Sequence, residues 1–276
     1  MRMPYSAPAF LSAATLLGAL AVLSANIAIA VEDTASTAWA VDNQQQLYAS
    51  EGIALLVLDQ AVGDVRIEGA EVDSVIVTMI SQRHQDDPRE PQVLEVREDA
   101  ELRLNIGFAA SELPEHEDWE KRRIDVGVKV PANLALSVQT TDGRIEIKKL
   151  NAAASLTTQT GAIEFDGSEA LQAHSQQGSI RALVRSTQTD EPLTVESVNG
   201  DVLVNLLEGA SATVKLQTKG MMISDYTIEI DRARGSRRKV GRAVIGDGRR
   251  SIRLSSENGS VRLANVIVEE QPQAQQ

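Results

Sequence analysis

The sequence predicts an all-β protein: a β-solenoid, or single-stranded β-helix, with coils of about 17–22 residues and a β-rich N-terminal portion. The first observation is a glycine that recurs at spacings of 18, 17, 22, 20 and 39 residues. The second is an alternation of apolar and polar residues on both sides of each glycine, with the period of two that is typical of strands. The third is a hydroxyl residue three positions before five of the six glycines. The six are Gly143, Gly161, Gly178, Gly200, Gly220 and Gly259.

Each repeat predicts a strand, a corner at the glycine and a second strand. The alternation directs the apolar positions inward, for example Leu156 before Gly161 and Ile163 after it. The Ser or Thr before the corner also points inward, where its hydroxyl can bond backbone groups that would otherwise be buried without partners. The unit of Gly220 fits less well, as if one residue before the glycine had been lost.

Two architectures place a glycine between short strands: a meander of hairpins, and a solenoid in which each repeat is one coil. A two-residue hairpin turn needs positive φ at both central residues and therefore favours Asn-Gly or Asp-Gly. Thr160, Gln177 and Lys219 precede three of the glycines, and such side chains are costly in the left-handed region. A corner that asks positive φ only of the glycine accommodates all six units. This favours the solenoid, with the meander as the alternative.

Residues 1–30 have the composition of an export signal. They carry one basic residue, Arg2, then an apolar stretch from Phe10 to Ile29, and small residues at a cleavage site that ends at Ala30. The alternative is an uncleaved anchor, because residues 10–31 hold no charge and are long enough to span a bilayer. We expect membrane association only in that case.

The rest of the chain divides by composition into four segments. A polar linker is predicted for residues 31–50 and a disordered tail for residues 269–276. Residues 51–131 form the N-terminal β portion, in which the residues around Gly63 already follow the repeat pattern. Residues 132–268 form the glycine-cornered solenoid, interrupted by an insertion at residues 231–250. No segment shows the sustained apolar stripe that would predict a helix.

Composition excludes several classes of function. The net charge is −12 for the whole chain, and it becomes −13 without the predicted signal, which contains Arg2 and no acid. Such a balance argues against nucleic acid as a general partner. The chain has no cysteine, which excludes disulfides and thiolate metal sites.

The chemistry of an enzyme is not visible in the sequence. There is no nucleophile-elbow, zinc-protease or phosphate-loop motif. His84 with Asp86 and Asp87, and the segment 115–118, are acidic but lack a recognised ligand spacing. We therefore expect no catalytic residue, no cofactor and no metal site.

Two surfaces of the predicted solenoid are candidates for binding a partner. The repeat register directs three apolar residues outward on successive coils, where they should adjoin one another and either face an envelope protein or be covered by the insertion. We call Leu203, Met221 and Ile223 the apolar patch. The insertion concentrates six cations in an acidic chain. It is either a solvated loop or a contact for an anionic envelope polymer or lipid headgroup. We call Arg232, Arg234, Arg237, Arg238, Lys239 and Arg242 the basic loop.

The tandem units, written L-x-V-x-[ST]-x-x-G-x-I-x-V, follow a Val130-Pro131 step in a chain with an export signal. Together these features resemble the bacterial β-strand-repeat family of unknown function whose members are provisionally described as adhesins. The resemblance covers residues 53–268. It implies a β-solenoid in the periplasm or at the cell envelope, with no established enzymatic activity and no catalytic residues.

The function expected on this basis is that of a structural, adhesin-like or interaction module at the cell envelope. One alternative is a carbohydrate-active enzyme on a β-helix scaffold, which would need carboxylates on neighbouring coils. The column after the glycines holds a single carboxylate, Asp201. The other alternative is a cation-binding or small-ligand-binding envelope protein.

Overall fold

A computed structural model of the chain describes residues 39–85, 87–109, 121–186, 189–232 and 234–266. Within these ranges the chain forms 21 strands. Those before the first repeat are β1 Trp39–Ala49, β2 Leu55–Val62, β3 Val65–Ala70, β4 Ser74–His84, β5 Pro91–Glu98, β6 Glu101–Phe108 and β7 Arg122–Pro131. The first four repeats contain β8 Ala135–Asp142, β9 Ile145–Leu150, β10 Ala154–Thr160, β11 Ile163–Gly167, β12 Leu171–Gln177, β13 Ile180–Val184, β14 Leu193–Asn199 and β15 Val202–Leu207. The remaining strands are β16 Ala212–Thr218, β17 Met222–Ser224, β18 Glu229–Asp231, β19 Lys239–Ile245, β20 Arg250–Ser256 and β21 Val261–Val266.

The strands form two sheets that share one apolar core. Sheet A has ten strands in the order β1-β4-β7-β3-β9-β11-β13-β15-β21-β17. Sheet B has eleven strands in the order β18-β19-β16-β20-β14-β12-β10-β8-β2-β6-β5. Each repeat contributes one strand to sheet B and, after its glycine, one strand to sheet A.

Neighbouring repeats pair in parallel, as a solenoid requires. Leu156 on β10 lies between Val138 on β8 and Ala173 on β12, and all three are buried. Ile163 on β11 lies between Ile145 and Ile180 in the same way in sheet A. This confirms the all-β, solenoid-like architecture and excludes the hairpin meander, because hairpins would pair successive strands antiparallel.

Close stacking, rather than positive φ, is what the corner glycines share. Gly161 and Gly178 have φ of 143° and 155°, but Gly143, Gly200, Gly220 and Gly259 lie outside the left-handed region, so the prediction for all six was wrong. A Cβ at any of them would overlap the backbone carbonyl oxygen of the glycine in the adjoining coil. We call this series the glycine column; in stacking order it is Gly63, Gly143, Gly161, Gly178, Gly200, Gly259 and Gly220.

Hydroxyl groups tie the glycine column together. Ser175 Oγ donates to the carbonyl oxygen of Gly161 at 3.0 Å, and Ser197 Oγ donates to that of Gly178 at 2.9 Å. This confirms the predicted role for these hydroxyls, whereas buried Thr140 Oγ1 has no such partner. In the irregular unit, Thr218 takes this place one position nearer its glycine, and its Oγ1 donates to Gly259 O at 2.6 Å. The lost residue is therefore accommodated without losing the bond.

The coils do not stack in sequence order at the two ends. The last repeat, β20 with β21, is inserted between β14–β15 and β16–β17. At the other end β2 and β3 lie between β6–β7 and β8–β9. Parallel strands lie next to both inner coils, β6 and β7 at one end and β16 and β17 at the other. Antiparallel strands then extend sheet A beyond β7 and sheet B at both ends.

Part of the predicted linker is a strand. Residues 39–49 form β1, which pairs antiparallel with β4, and Tyr48 on β1 is buried. The prediction for residues 31–50 was therefore wrong over this range, because a polar strand is stable when a paired neighbour binds its backbone.

The sheets also continue across Pro131, since β2 pairs with β8 and β3 with β9. The signal at 1–30, residues 31–38 and the tail at 269–276 lie outside the described residues.

No helix within the described ranges has the length and apolar character needed to cross a membrane.

Candidate functional site

The structure separates Leu203 from the other two residues of the apolar patch. Arg262 on β21 is the register neighbour of Leu203 on one side and of Ile223 on the other. Met221 and Ile223 are exposed, but Arg262 lies between Ile223 and Leu203. The expectation that Leu203 adjoins Ile223 was wrong, because the last repeat is inserted between their coils.

The basic loop is partly a strand. Lys239 and Arg242 lie on β19, and the other four residues lie in the connection between β18 and β19. Lys239 Nζ donates to the carbonyl oxygen of Gly220 at 2.7 Å, and Arg232 Nε donates to that of Ser236 at 2.7 Å. These two cations therefore brace the connection.

Glu257 neutralises part of the same segment. Arg238 Nη2 lies 2.9 Å from its carboxylate, and Lys219 Nζ lies 3.3 Å from it. The bond from Lys219 is the main cause that holds the pKa of Glu257 below its ordinary value, with Arg238 adding to it. Arg234, Arg237 and Arg242 are exposed.

Arg242 belongs to a row of cations that crosses three strands of sheet B. It faces Lys215 on β16, and Lys215 faces Arg253 on β20. All three side chains are exposed on the outer face of the sheet. Adjacent strands are about 4.8 Å apart, so the three charges lie in line at close intervals. We call Arg242, Lys215 and Arg253 the cationic row.

The positive charge of this row is not paired within the described part of the chain. Among the described residues none forms an ion pair with Arg242, Lys215 or Arg253, although Glu229 on β18 is the register neighbour of Arg242. Like charges on directly opposed residues destabilise a sheet. The row therefore keeps an unfavourable arrangement that a neutral residue at Lys215 would relieve.

The outer face of sheet A is built differently. Glu146 lies 2.6 Å from Lys148 and 3.5 Å from Arg66, and Lys149 lies 2.7 Å from Glu68. Cations and carboxylates thus pair within and between its strands, although Glu146 also lies opposite Glu164 in the register. The contrast marks the cationic row as a local exception in an acidic protein.

Small polar side chains flank the row. Ser255 and Gln217 are register neighbours on one side of it, and Ser251 and Thr213 on the other. Arginine forks and lysine ammonium groups bind carboxylate and phosphate oxygens through charge-assisted hydrogen bonds, and hydroxyls add neutral ones. The surface is therefore suited to anionic oxygens presented along a line.

Sequence reasoning found Arg242 but missed Lys215 and Arg253. Their outward direction follows from the alternation in each strand. Their adjacency depends on β20 lying next to β16, which no local pattern encodes.

Two charged sites are buried in the described part of the chain. Arg250 is 3% exposed, its Nη2 donates to the carbonyl oxygen of Glu169 at 2.6 Å, and burial lowers its pKa. Arg122 Nε lies 3.1 Å from buried Asp87. Within the described ranges no group of three His, Asp or Glu side chains could hold a metal ion. Asp86 and the segment 115–118 lie outside those ranges.

Comparison with solved structures finds similar chains of low sequence identity. A structure from Clostridium sporogenes ATCC 15579, provisionally described as a cell adhesion protein, is 12% identical and aligns over 82% of this chain and 100% of its own, with a TM-score of 0.49. A provisionally described adhesin from Bacteroides fragilis NCTC 9343 is 10% identical over 82% of this chain and 97% of its own, with a TM-score of 0.33. A search of curated proteins found no match.

The family model described as Toastrack DUF4097 matches residues 53–264, which includes strands of every coil described above. That range holds the complete glycine column and the cationic row. The chain belongs to the Toastrack DUF4097 family.

Proposed function

We propose that this protein is an exported, non-enzymatic interaction module of the bacterial cell envelope that binds an anionic envelope polymer through the cationic row. The observation that carries the proposal is the alignment of Arg242, Lys215 and Arg253 on adjacent strands, with no ion pair to any carboxylate among the described residues. An anion bound there would remove the repulsion between the three cations.

The shape of the surface favours a polymer over a small anion. Sites for small ligands are concave and surround most of the ligand. The cationic row lies on the outer face of a sheet, where each contact is exposed and individually weak. A chain with regularly spaced carboxylates can make several such contacts at once and gain from their sum. We therefore propose a polymer of uronic acids, whose carboxylates are regularly spaced, as the class of ligand.

The envelope location rests on the predicted signal at residues 1–30 and on the family resemblance. The exported protein is expected to begin at Val31. Amino-terminal sequencing of the product from a bacterial envelope fraction tests this, and a membrane-bound chain that retains residues 1–30 would support the anchor instead.

Replacing the cationic row should abolish binding. A Lys215→Ser, Arg242→Ser, Arg253→Ser variant should bind immobilised polygalacturonate about 100-fold more weakly, because each cation contributes roughly 1 kcal/mol near an anionic surface. Binding of the unmodified protein should weaken steeply with salt, since exposed charges are screened beyond about 8 Å at physiological ionic strength. The melting temperature should be unchanged or slightly raised.

The matched control removes the same charge elsewhere. The variant Arg144→Ser, Arg181→Ser, Arg262→Ser also deletes three exposed cations, on the side of sheet A, and should retain binding.

A second comparison replaces Arg234, Arg237, Arg238 and Lys239 with Ser. Stronger loss in this variant than in the row variant would move the site to the basic loop. Equal loss in the control would show a net-charge effect, and tighter binding of duplex DNA than of polygalacturonate would overturn the ligand class.

A further inference from the structure

The four edges of the two sheets are protected unequally against pairing with another chain. An exposed edge strand offers a row of unpaired backbone groups, and proteins limit this with short strands, charges or proline. At the edges of sheets A and B, β17 and β18 are three residues long, and β18 carries two acids. The third edge strand, β5, begins at Pro91 and contains Glu95, Arg97 and Glu98.

The fourth edge strand, β1, has none of these features. It extends over eleven residues, contains neither proline nor glycine, and carries one charged side chain, Asp42. On its outward face Val41 is 67% exposed and Leu47 is 69% exposed. Among the described edge strands, β1 is thus the one that is both long and nearly uncharged.

The sequence of β1 is complementary to itself when reversed. In an antiparallel pair of two copies centred on Gln44, each Val41 faces Leu47 of the other copy, and each Asn43 faces Gln45. Trp39 faces Ala49, and no charged residue faces another, since Asp42 lies opposite Gln46. Apolar pairs at opposed positions stabilise antiparallel strands, and opposed amides can hydrogen-bond to each other.

We infer that β1 is a dimerisation edge, at which two copies of this chain join sheet A to sheet A around a two-fold axis through Gln44. The inference is independent of the anion-binding proposal, because β1 and the cationic row lie in different sheets. A two-fold interface uses the same strand in both copies, and its self-complementary sequence meets that requirement. The occupant of the edge is therefore a second copy of the same strand.

A charge-swap experiment tests both the edge and its register. The purified protein should sediment as a dimer at micromolar concentrations. Val41→Lys, Leu47→Lys should be monomeric, because each introduced lysine would face another across the axis. Val41→Glu, Leu47→Lys should remain dimeric, because every introduced acid would then face a lysine. Both positions are exposed in one copy, so folding should be unaffected, and circular dichroism checks this.

A control places the same charges on the other long edge. Leu94→Lys, Val96→Lys on β5 should leave the dimer intact, since both side chains are exposed outside the proposed interface. A protein that is monomeric at all concentrations, or a double-lysine β1 variant that still dimerises, would overturn the inference. If both β1 double variants were monomeric, the proposed register would be wrong.

Discussion

Gly161→Ala is expected to destabilise the protein by about 2–6 kcal/mol, the sum of overpacking and backbone strain. The new Cβ would overlap the carbonyl oxygen of Gly143, a backbone atom that cannot rotate away. The φ of Gly161, at 143°, adds strain because residues with a Cβ rarely adopt it. Chemical denaturation followed by circular dichroism measures the loss.

Two further glycines separate the two causes. Gly200→Ala introduces the overlap, with the carbonyl oxygen of Gly178, at a φ outside the left-handed region. Gly209→Ala introduces φ strain alone, because φ is 82° and a Cβ there would have no neighbour within 4 Å. The first should cost at least about 1–3 kcal/mol and the second about 1–2 kcal/mol. A neutral Gly200→Ala would refute the view that close stacking requires the column.

The close stacking of the glycine column shows which features the sequence repeat could predict and which it could not. The regular spacing of glycine, Ser or Thr and alternating apolar residues correctly predicted the strands, the inward hydroxyls and the parallel coils. It did not show why the glycine is needed. Backbone conformation is a property of one coil, whereas the contact between Gly161 and Gly143 exists only when two coils are stacked.

Leu254→Asp is expected to unfold the end of the solenoid that contains β16, β18 and β19. Leu254 is fully buried between Val195 on β14 and Leu216 on β16, so an unpaired carboxylate there costs several kcal/mol. Because β20 alone joins β16 to the rest of sheet B, its loss should release the strands beyond it. Hydrogen exchange should show rapid exchange in residues 212–245 and in β20.

Coils at a distance should be unaffected, because each coil contacts only its neighbours. Strands β8, β10 and β12 should therefore keep slow exchange. Ser255→Asp, which places the same group at an outward position of the same strand, should leave the whole chain protected. If residues 212–245 stayed protected in Leu254→Asp while β20 exchanged, the last repeat would be a terminal coil and the inserted order would be wrong.

The inserted order also explains the limits of the site prediction. Repeats read along the sequence imply that the coil of Gly220 follows that of Gly200, and this placed Leu203 beside Ile223. The structure instead places Arg262 between them and brings Arg253 beside Lys215. Alternation fixes which side of a sheet a residue faces, but it carries no information about which strand is the neighbour.

Chemical labelling of Lys215 tests the central claim that an anionic polymer lies on the cationic row. Acetylation read by mass spectrometry should modify exposed Lys215 readily in the free protein, and saturating polygalacturonate should suppress that modification. Lys129 and Lys149, both in strands of sheet A, should be modified equally in both states and so serve as internal references. Unchanged labelling of Lys215 at saturation, with protection at Lys129 or Lys149, would place the polymer elsewhere and contradict the claim.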